Sequence, residues 1–318
     1  MRTWEQAWQQ ALYDERGFYR RPEGPAGHFA TSAQGSAAGL LAEALLELAA
    51  REGLRRVIDV GCGRGELLTA LADLTAERDP DLGLLGVDVV PRPDHLDPRI
   101  DWLASPGGAD LPDLGGPRDA LVLAHEWLDV VPCPIARADE DGTLREVLLD
   151  EAGAEHPGAP LTGSDAQWAD RWWPGPYAPG EAVEVGRARD QALAGLTSTI
   201  GSGLLLVIDY GHLTDTRPPE GTLVGYRDGA VCPPAPDGSC DLTAHVAMDS
   251  LRLEVCTQRE ALRELGIDGT RPPIEQARTD PAGYLAALSR ASHAGALTGP
   301  GLGDFLWGRR RITADTTR

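Results

Sequence analysis

Residues 57–68 read VIDVGCGRGELL. Val57, Ile58 and Val60 are β-branched and Asp59 is acidic; this strand-like run enters Gly61-x-Gly63-x-Gly65, after which Glu66-Leu67-Leu68 can open a helix. A parallel strand that ends in an acid and turns through glycines puts bare backbone at the carboxyl edge of a sheet, where open α/β folds take their ligands. Glycine lets the chain turn tightly and lets a ligand approach the main chain. The spacing also excludes a ligand class. The dinucleotide fingerprint is G-x-G-x-x-G, and here the third glycine arrives one residue early, with Glu66 in its place, which disfavours nicotinamide and flavin cofactors.

Working outward, residues 37–52 repeat apolar positions at helical spacing before the strand, and GELLTALADLTAE supplies a helix after it. LGLLGVDVV, RIDWLA and DALVLAHEWLDVVP follow as three further strands. Asp88 closes the first of these, at the distance from the glycine turn where an acid accepts hydrogen bonds from ribose hydroxyls. Near-continuous apolar strands alternating with helices predict an α/β fold with a parallel sheet covered on both faces. Residues 136–180 interrupt the alternation with a hairpin around Asp141-Gly142 and a Gly/Pro/Trp-rich segment, expected to be an insertion or lid. The alternation resumes with a helix over AVEVGRARDQALAGLTSTIGSG, the buried strand LLLVIDYG, helices in TQREALRELGI and DPAGYLAALSRAS, and a last strand in GDFLWGRRRI. The expected units are an N-terminal flap (1–36), a cofactor half (37–135), the insertion (136–180) and a second half that faces substrate (181–318).

Composition narrows the partners. The 318 residues are 42% hydrophobic, enough for one large core or one core with a smaller appended unit. Acids outnumber bases 49 to 29 for a net charge of −20, which argues against nucleic acid and suits a cationic partner or plain solubility. Five cysteines, Cys62, Cys133, Cys232, Cys240 and Cys256, form neither a Cys-x-x-Cys pair nor a zinc-type cluster, so no metal site and reduced thiols are expected. The N-terminus has no apolar signal core and no segment is apolar enough to span a bilayer, so the chain is expected in the cytoplasm without a membrane partner, a homodimer remaining open.

The glycine turn with Asp59 before it resembles the first motif of class I S-adenosylmethionine-dependent methyltransferases. GFYRRPEGPAGHFATSAQGS (17–36), AHEWLDVVP (124–132), LLLVIDYG (204–211), GTLVGYRDG (221–229), DLTAHVAM (241–248) and LGIDGTRPPIEQARTDPAGY (265–284) together resemble the MidA-like family of these enzymes, in order along nearly the whole chain. The resemblance implies a class I methyltransferase (Rossmann-like) sheet and S-adenosylmethionine as cofactor, leaving S-adenosylhomocysteine. It implies cofactor contacts at Asp59, Gly61, Cys62, Gly63, Gly65, Asp88 and Val89, with Thr31 in a flap, and N-methylation of an arginine on a protein partner. The chain departs from the family pattern where His28 and Ala33-Gln34 replace an acid and Pro-Glu, where His125 replaces Asn, and where Cys62 replaces proline. These departures leave the cofactor expectation intact and bear on the acceptor. A tailoring enzyme for a peptide or small molecule, and a non-catalytic assembly factor, stay open beside the arginine reading.

A guanidinium is a poor nucleophile because its charge is delocalised and its pKa exceeds about 12. Carboxylates that grip two of its nitrogens push charge from the third and orient its lone pair. Glu126 and Asp129, just after the fourth strand, are the candidates for that grip, with local capping or pairing as the alternative. His125 is a candidate proton acceptor or a packing residue. Asp209 and Tyr210 are expected either to wall the pocket or to form a turn, and Trp172 and Trp173 to stack on a cation or close a lid. Thr31 and Ser32 fit a flap over the cofactor or a helix cap.

Overall fold

The computed structural model describes residues 1–21 and 35–314. Thr31, with the flap turn around it and the substituted His28 and Ala33-Gln34, lies outside the described residues. We label the strands of the main sheet in chain order: β1 Arg56–Val60, β2 Gly83–Asp88, β3 Ile100–Ala104, β4 Ala120–His125, β5 Gly203–Asp209, β6 Glu254–Thr257 and β7 Leu306–Ile312. The helices are α1 Trp4–Tyr13, α2 Gly35–Arg51, α3 Glu66–Arg78, α4 Gly163–Trp172, α5 Arg187–Ser198, α6 Gln258–Glu264, α7 Gln276–Thr279 and α8 Pro281–Thr298.

The spatial order of the seven strands is β3-β2-β1-β4-β5-β7-β6. β1 to β5 pair in parallel, and β7 runs antiparallel to both β5 and β6. The order reverses between β1 and β4, and the carboxyl ends of these two strands open a crevice there. All residues of β4 and β5 are buried. Period-two alternation sends Leu121, Leu123 and Leu206 to one face, against Leu41 and Leu45 of α2 and Leu68 of α3. It sends Val122, Leu205 and Val207 to the other, against Leu193 and Leu196 of α5.

A second sheet joins Arg2–Thr3, Leu144–Leu149, Ile135–Ala138 and Ala182–Glu184 in that order, with Glu155–Pro160 paired to Leu144–Leu149. The predicted hairpin around Asp141-Gly142 is the pairing of Ile135–Ala138 with Leu144–Leu149. Here the predicted helix over 182–203 is corrected: Ala182–Glu184 pairs with Ile135–Arg137 as an edge strand, and the helix starts only at Arg187. The apolar alternation of Ala182 and Val183 serves that sheet. α1 is fixed by a Thr3–Gln6 capping box and buries Trp4, Trp8 and Leu12 against Ile135 and Leu242, so the N-terminal helix closes one side of the crevice. Among the described residues no helix is long and apolar enough to cross a membrane.

Candidate active site

The glycine turn is held by its neighbouring strand. The Gly61 amide donates to the Val87 carbonyl at 2.8 Å, and Gly65 to Cys62 at 2.9 Å. Gly61, Gly63 and Gly65 have φ of 74°, 61° and 82°, a region costly for residues with a Cβ. A Cβ at Gly61 would press on Trp127, whose indole donates to the Gly108 carbonyl at 3.2 Å. Asp88 then ties two loops with one carboxylate: the Gly63 amide donates to Oδ2 at 2.8 Å and the Val90 amide to Oδ1 at 3.0 Å. Each oxygen keeps a lone pair after these bonds. Burial raises Asp88 to about 6 against those hydrogen bonds. Asp59 is buried with no partner for Oδ1 among the described residues, and its carboxyl sits well above the usual range because of that burial and the charge of Asp88.

Across the crevice, β4 ends where Glu126 takes a φ of 51°, rare for a side chain this long and typical of strained functional positions. Its amide donates to the Ile208 carbonyl of β5 at 2.8 Å, which holds the kink in register. His125 Nε2 lies 3.4 Å from Glu126 Oε1. Burial depresses His125 to about 4, so its imidazole is neutral at pH 7 and a weak proton acceptor. Asp209, fully buried at the end of β5, accepts the Leu128 and Asp129 amides on Oδ2 at 3.0 and 3.2 Å. It supports the loop from behind and is neither a wall of the crevice nor a turn former; burial and the neighbouring Asp129 charge hold its carboxyl far up. Asp129 accepts the Thr243 hydroxyl on Oδ2 at 2.6 Å, while Oδ1 has no partner among the described residues. Burial raises this carboxyl too, despite the Thr243 bond and nearby Arg189.

Three contributors were not singled out in the sequence. Arg189 of α5 is buried and donates to the Asp129, Val131 and His245 carbonyls at 2.8, 3.1 and 2.9 Å, with its guanidinium 5.6 Å from the Trp8 ring centroid. It locks the loop after Glu126 to the segment at His245 without reaching the crevice. Asp241 is buried and accepts the Tyr19 hydroxyl at 2.8 Å; burial lifts it to about 8. Tyr226 joins Tyr13, Tyr19 and Tyr210 on the crevice wall. The sequence offered a signal only for Arg189, an arginine among the apolar residues of α5.

All of this converges on one crevice that encloses about 1300 Å³ of empty space, open solvent included. Asp59, Gly61, Cys62, Gly63, Asp88 and Val89 line it on one side and His125, Glu126 and Asp129 on the other. Gly65 is not part of the lining; it caps α3 just behind the turn. Trp172 and Trp173 also stand apart: the cations on them are the chain's own Arg171 and Arg217, 4.8 and 5.4 Å from the ring centroids. Six carboxyl groups, of Asp59, Glu66, Asp88, Glu126, Asp129 and Asp241, line the crevice, and Arg64 carries the single guanidinium among the described lining residues.

A sheet of this order, with a glycine turn after its first strand and acids closing its first and second strands, defines a class I methyltransferase fold. The chain belongs to a family of S-adenosyl-L-methionine-dependent methyltransferases, whose model matches residues 72–266, more than half of its length. It is similar in fold to a COG1565 superfamily member from Burkholderia thailandensis solved bound to S-adenosyl-homocysteine, with a TM-score of 0.75 and 21% identity over 98% of this chain and 88% of that one. A native crystal structure of a COG1565 superfamily protein from the same organism gives a TM-score of 0.75 and 22% identity over the same shares of the chains. A comparison with curated proteins gives no match. The residues present fit the cofactor of this family: the orphaned Asp59 Oδ1 and the spare lone pairs of Asp88 could accept from a ligand rich in donors and positive charge.

Proposed function

We propose that the chain transfers the methyl group of S-adenosylmethionine to a nitrogen of a cationic acceptor, an arginine side chain of a protein partner, as the MidA-like resemblance implies. The observation that supports this best is the lining of six carboxyl groups around a single guanidinium. An anionic or neutral acceptor gains nothing from burying so many acids, whereas a cation offsets their desolvation. In this reading the turn from Gly61 to Gly65, with Cys62 and Val89, shapes the cofactor seat. Asp59 receives a donor on its orphaned oxygen, and Asp88 accepts the ribose hydroxyls. When bound, the cofactor supplies a methyl group activated by an adjacent sulfonium charge.

The protein's own work is then positioning and electrostatics. Glu126, aimed by its left-handed backbone, and Asp129, through Oδ1, grip the guanidinium and shift its charge away from the reacting nitrogen. Neutral His125 beside Glu126 serves as a wall and hydrogen-bonding group, since its low pKa makes it a poor base. Entry of a cation draws protons from the raised carboxyls, so acceptor binding releases protons to solvent.

The reading is tested by incubating the protein with isotopically labelled S-adenosylmethionine and a host lysate, then locating the label by mass spectrometry. Label on arginine of a protein band is expected. In Glu126→Gln the transfer rate should fall by about 10²-fold, the scale of a deleted preorganised contact, with S-adenosylhomocysteine affinity kept within about threefold. Label confined to small molecules would replace the arginine acceptor with a tailoring role, and cofactor binding without any transfer would leave an assembly factor.

A further inference from the structure

A pair of thiols that the proposed reaction does not use sits beside the crevice. The small sheet of Val224–Arg227, Ala230–Cys232 and Asp241–Thr243 has Val224–Arg227 as its middle strand. Gly225 faces Cys232 on one side and Leu242 on the other. A Cβ built on Gly225 would stand 2.8 Å from Cys240 Sγ and 2.9 Å from Cys232 Sγ. The two sulfurs thus fill the space that a side chain on the middle strand would take, reaching towards each other from the two outer sides. The Cys240 thiol donates to the Ala235 carbonyl at 3.6 Å, which holds it in this place. Cys232 is half-buried and Cys240 buried, so an oxidant meets Cys232 first. The residue after Cys240 is Asp241, whose carboxyl lines the crevice and holds Tyr19.

We propose that Cys232 and Cys240 form a reversible dithiol–disulfide pair, oxidised by a small disulfide, that staples this sheet beside the strand carrying Asp241 and Thr243 to the crevice. The Cys232 thiolate attacks one sulfur of the small disulfide, breaking its S–S bond, forming a mixed disulfide and releasing one small thiol. Cys240 then loses its proton and attacks the Cys232 sulfur, forming the internal S–S bond and expelling the second small thiol. Two protein thiols are oxidised and one small disulfide is reduced to two thiols. Burial pushes Cys240 up to about 11, so the second step quickens as the solution becomes alkaline.

The experiment treats the full chain with oxidised glutathione, alkylates the remaining thiols, and maps peptides by mass spectrometry without reduction. The expected product lacks two hydrogens, carries a Cys232–Cys240 cross-link and reverts with dithiothreitol. In Cys240→Ser the reaction should stop as a glutathione adduct on Cys232, and in Cys232→Ser the buried Cys240 should stay unmodified. Wild-type protein that keeps both cysteines alkylatable, retains glutathione on Cys232 as fully as Cys240→Ser does, or links either cysteine to another partner would overturn the proposal.

Discussion

The two sides of the crevice are built by opposite strategies. The glycine-turn side comes from two neighbouring strands: residues 59–66 supply the turn and Asp88 ties it by hydrogen bonds to Gly63 and Val90. The opposite side is assembled from segments far apart in the chain, with Glu126 and Asp129 after β4, Asp209 at the end of β5, and Asp241 and Thr243 on the small sheet; Asp209 and Thr243 tie to the 128–129 loop, and Arg189 from α5 joins that loop to His245. A local turn is specified by a few contiguous residues. A wall made of distant pieces needs buried polar ties, and these are sensitive to loss of any one partner.

The sharpest way to separate the two sides is to cut the tie that only one possesses. Arg189→Met keeps the volume and removes a buried cation that serves three carbonyls. Removing one partner of a buried charged network costs about 3–5 kcal/mol, and at roughly 2–4 °C per kcal/mol the melting temperature should fall by about 10 °C. In protein that remains folded, S-adenosylhomocysteine affinity should stay within about threefold while methyl transfer drops. A parallel loss of cofactor affinity, measured by titration calorimetry, would show that the two sides are one cooperative unit.

The converse change is Gly63→Val. The site demands φ of 61°, and the only described atom near a new Cβ is Glu66 Oε2 at 3.4 Å, so the branched side chain would project into the crevice rather than into the core. The obstructed approach should weaken S-adenosylhomocysteine binding about 30-fold or more, while backbone strain of about 1–2 kcal/mol lowers the melting temperature by only a few degrees. Undiminished binding would remove the glycine turn from the cofactor seat.

The contrast between the sides also explains what was legible in the sequence. β1, α3, β2, β4 and β5 were readable because apolar runs and glycine stops are local signals, and the same holds for the Asp59 to Gly65 turn and Asp88. Glu126, Asp129 and His125 could be placed at a strand end, but their surroundings could not, since Thr243, Asp209 and Arg189 reach them only through tertiary packing. The segment at 182 misled for a related reason: three residues cannot display a period, and the pairing of Ala182–Glu184 with Ile135–Arg137 decided their state. Asp241 gave no hint of its role, because a carboxyl that follows Cys240 reads as an ordinary loop acid until Tyr19 is brought to it.

Acidity should act on the glycine-turn side through Asp88. Its carboxyl is raised to about 6 by burial, and if it receives ribose hydroxyls as a charged acceptor, protonation weakens the site. S-adenosylhomocysteine affinity should then fall about tenfold as pH drops from 7 to 5, the slope expected for one proton. In Asp88→Asn the affinity should be lower at pH 7 and nearly flat over that range. A wild-type profile without this slope would separate Asp88 from ligand binding and leave it as the clasp between Gly63 and Val90.

The smallest expected effect, and the one with the opposite sign, concerns Asp241 on the assembled wall. Its carboxyl is raised by burial from an ordinary carboxylate value to about 8. Between about pH 4 and pH 8 the folded protein therefore holds a proton that the unfolded chain has released, so the stabilising contribution present at low pH is lost as pH rises, and above 8 the protein carries a buried charge. The variant Asp241→Asn would still accept the Tyr19 hydroxyl through its amide oxygen but would never ionise. Melting temperature at pH 9 should accordingly rise by a few degrees over wild type, at roughly 2–4 °C per kcal/mol, and the difference should shrink towards pH 5. If the acceptor is the proposed cation, its turnover should fall at the same time, because the wall loses one of the charges that such a cation would offset. If Asp241→Asn instead lowers the melting temperature at pH 9, the carboxylate is compensated within the folded chain itself. The acids of the assembled wall would then stabilise the fold and not wait for a cation, and the distinction between a self-contained turn and a wall completed by its acceptor would not hold.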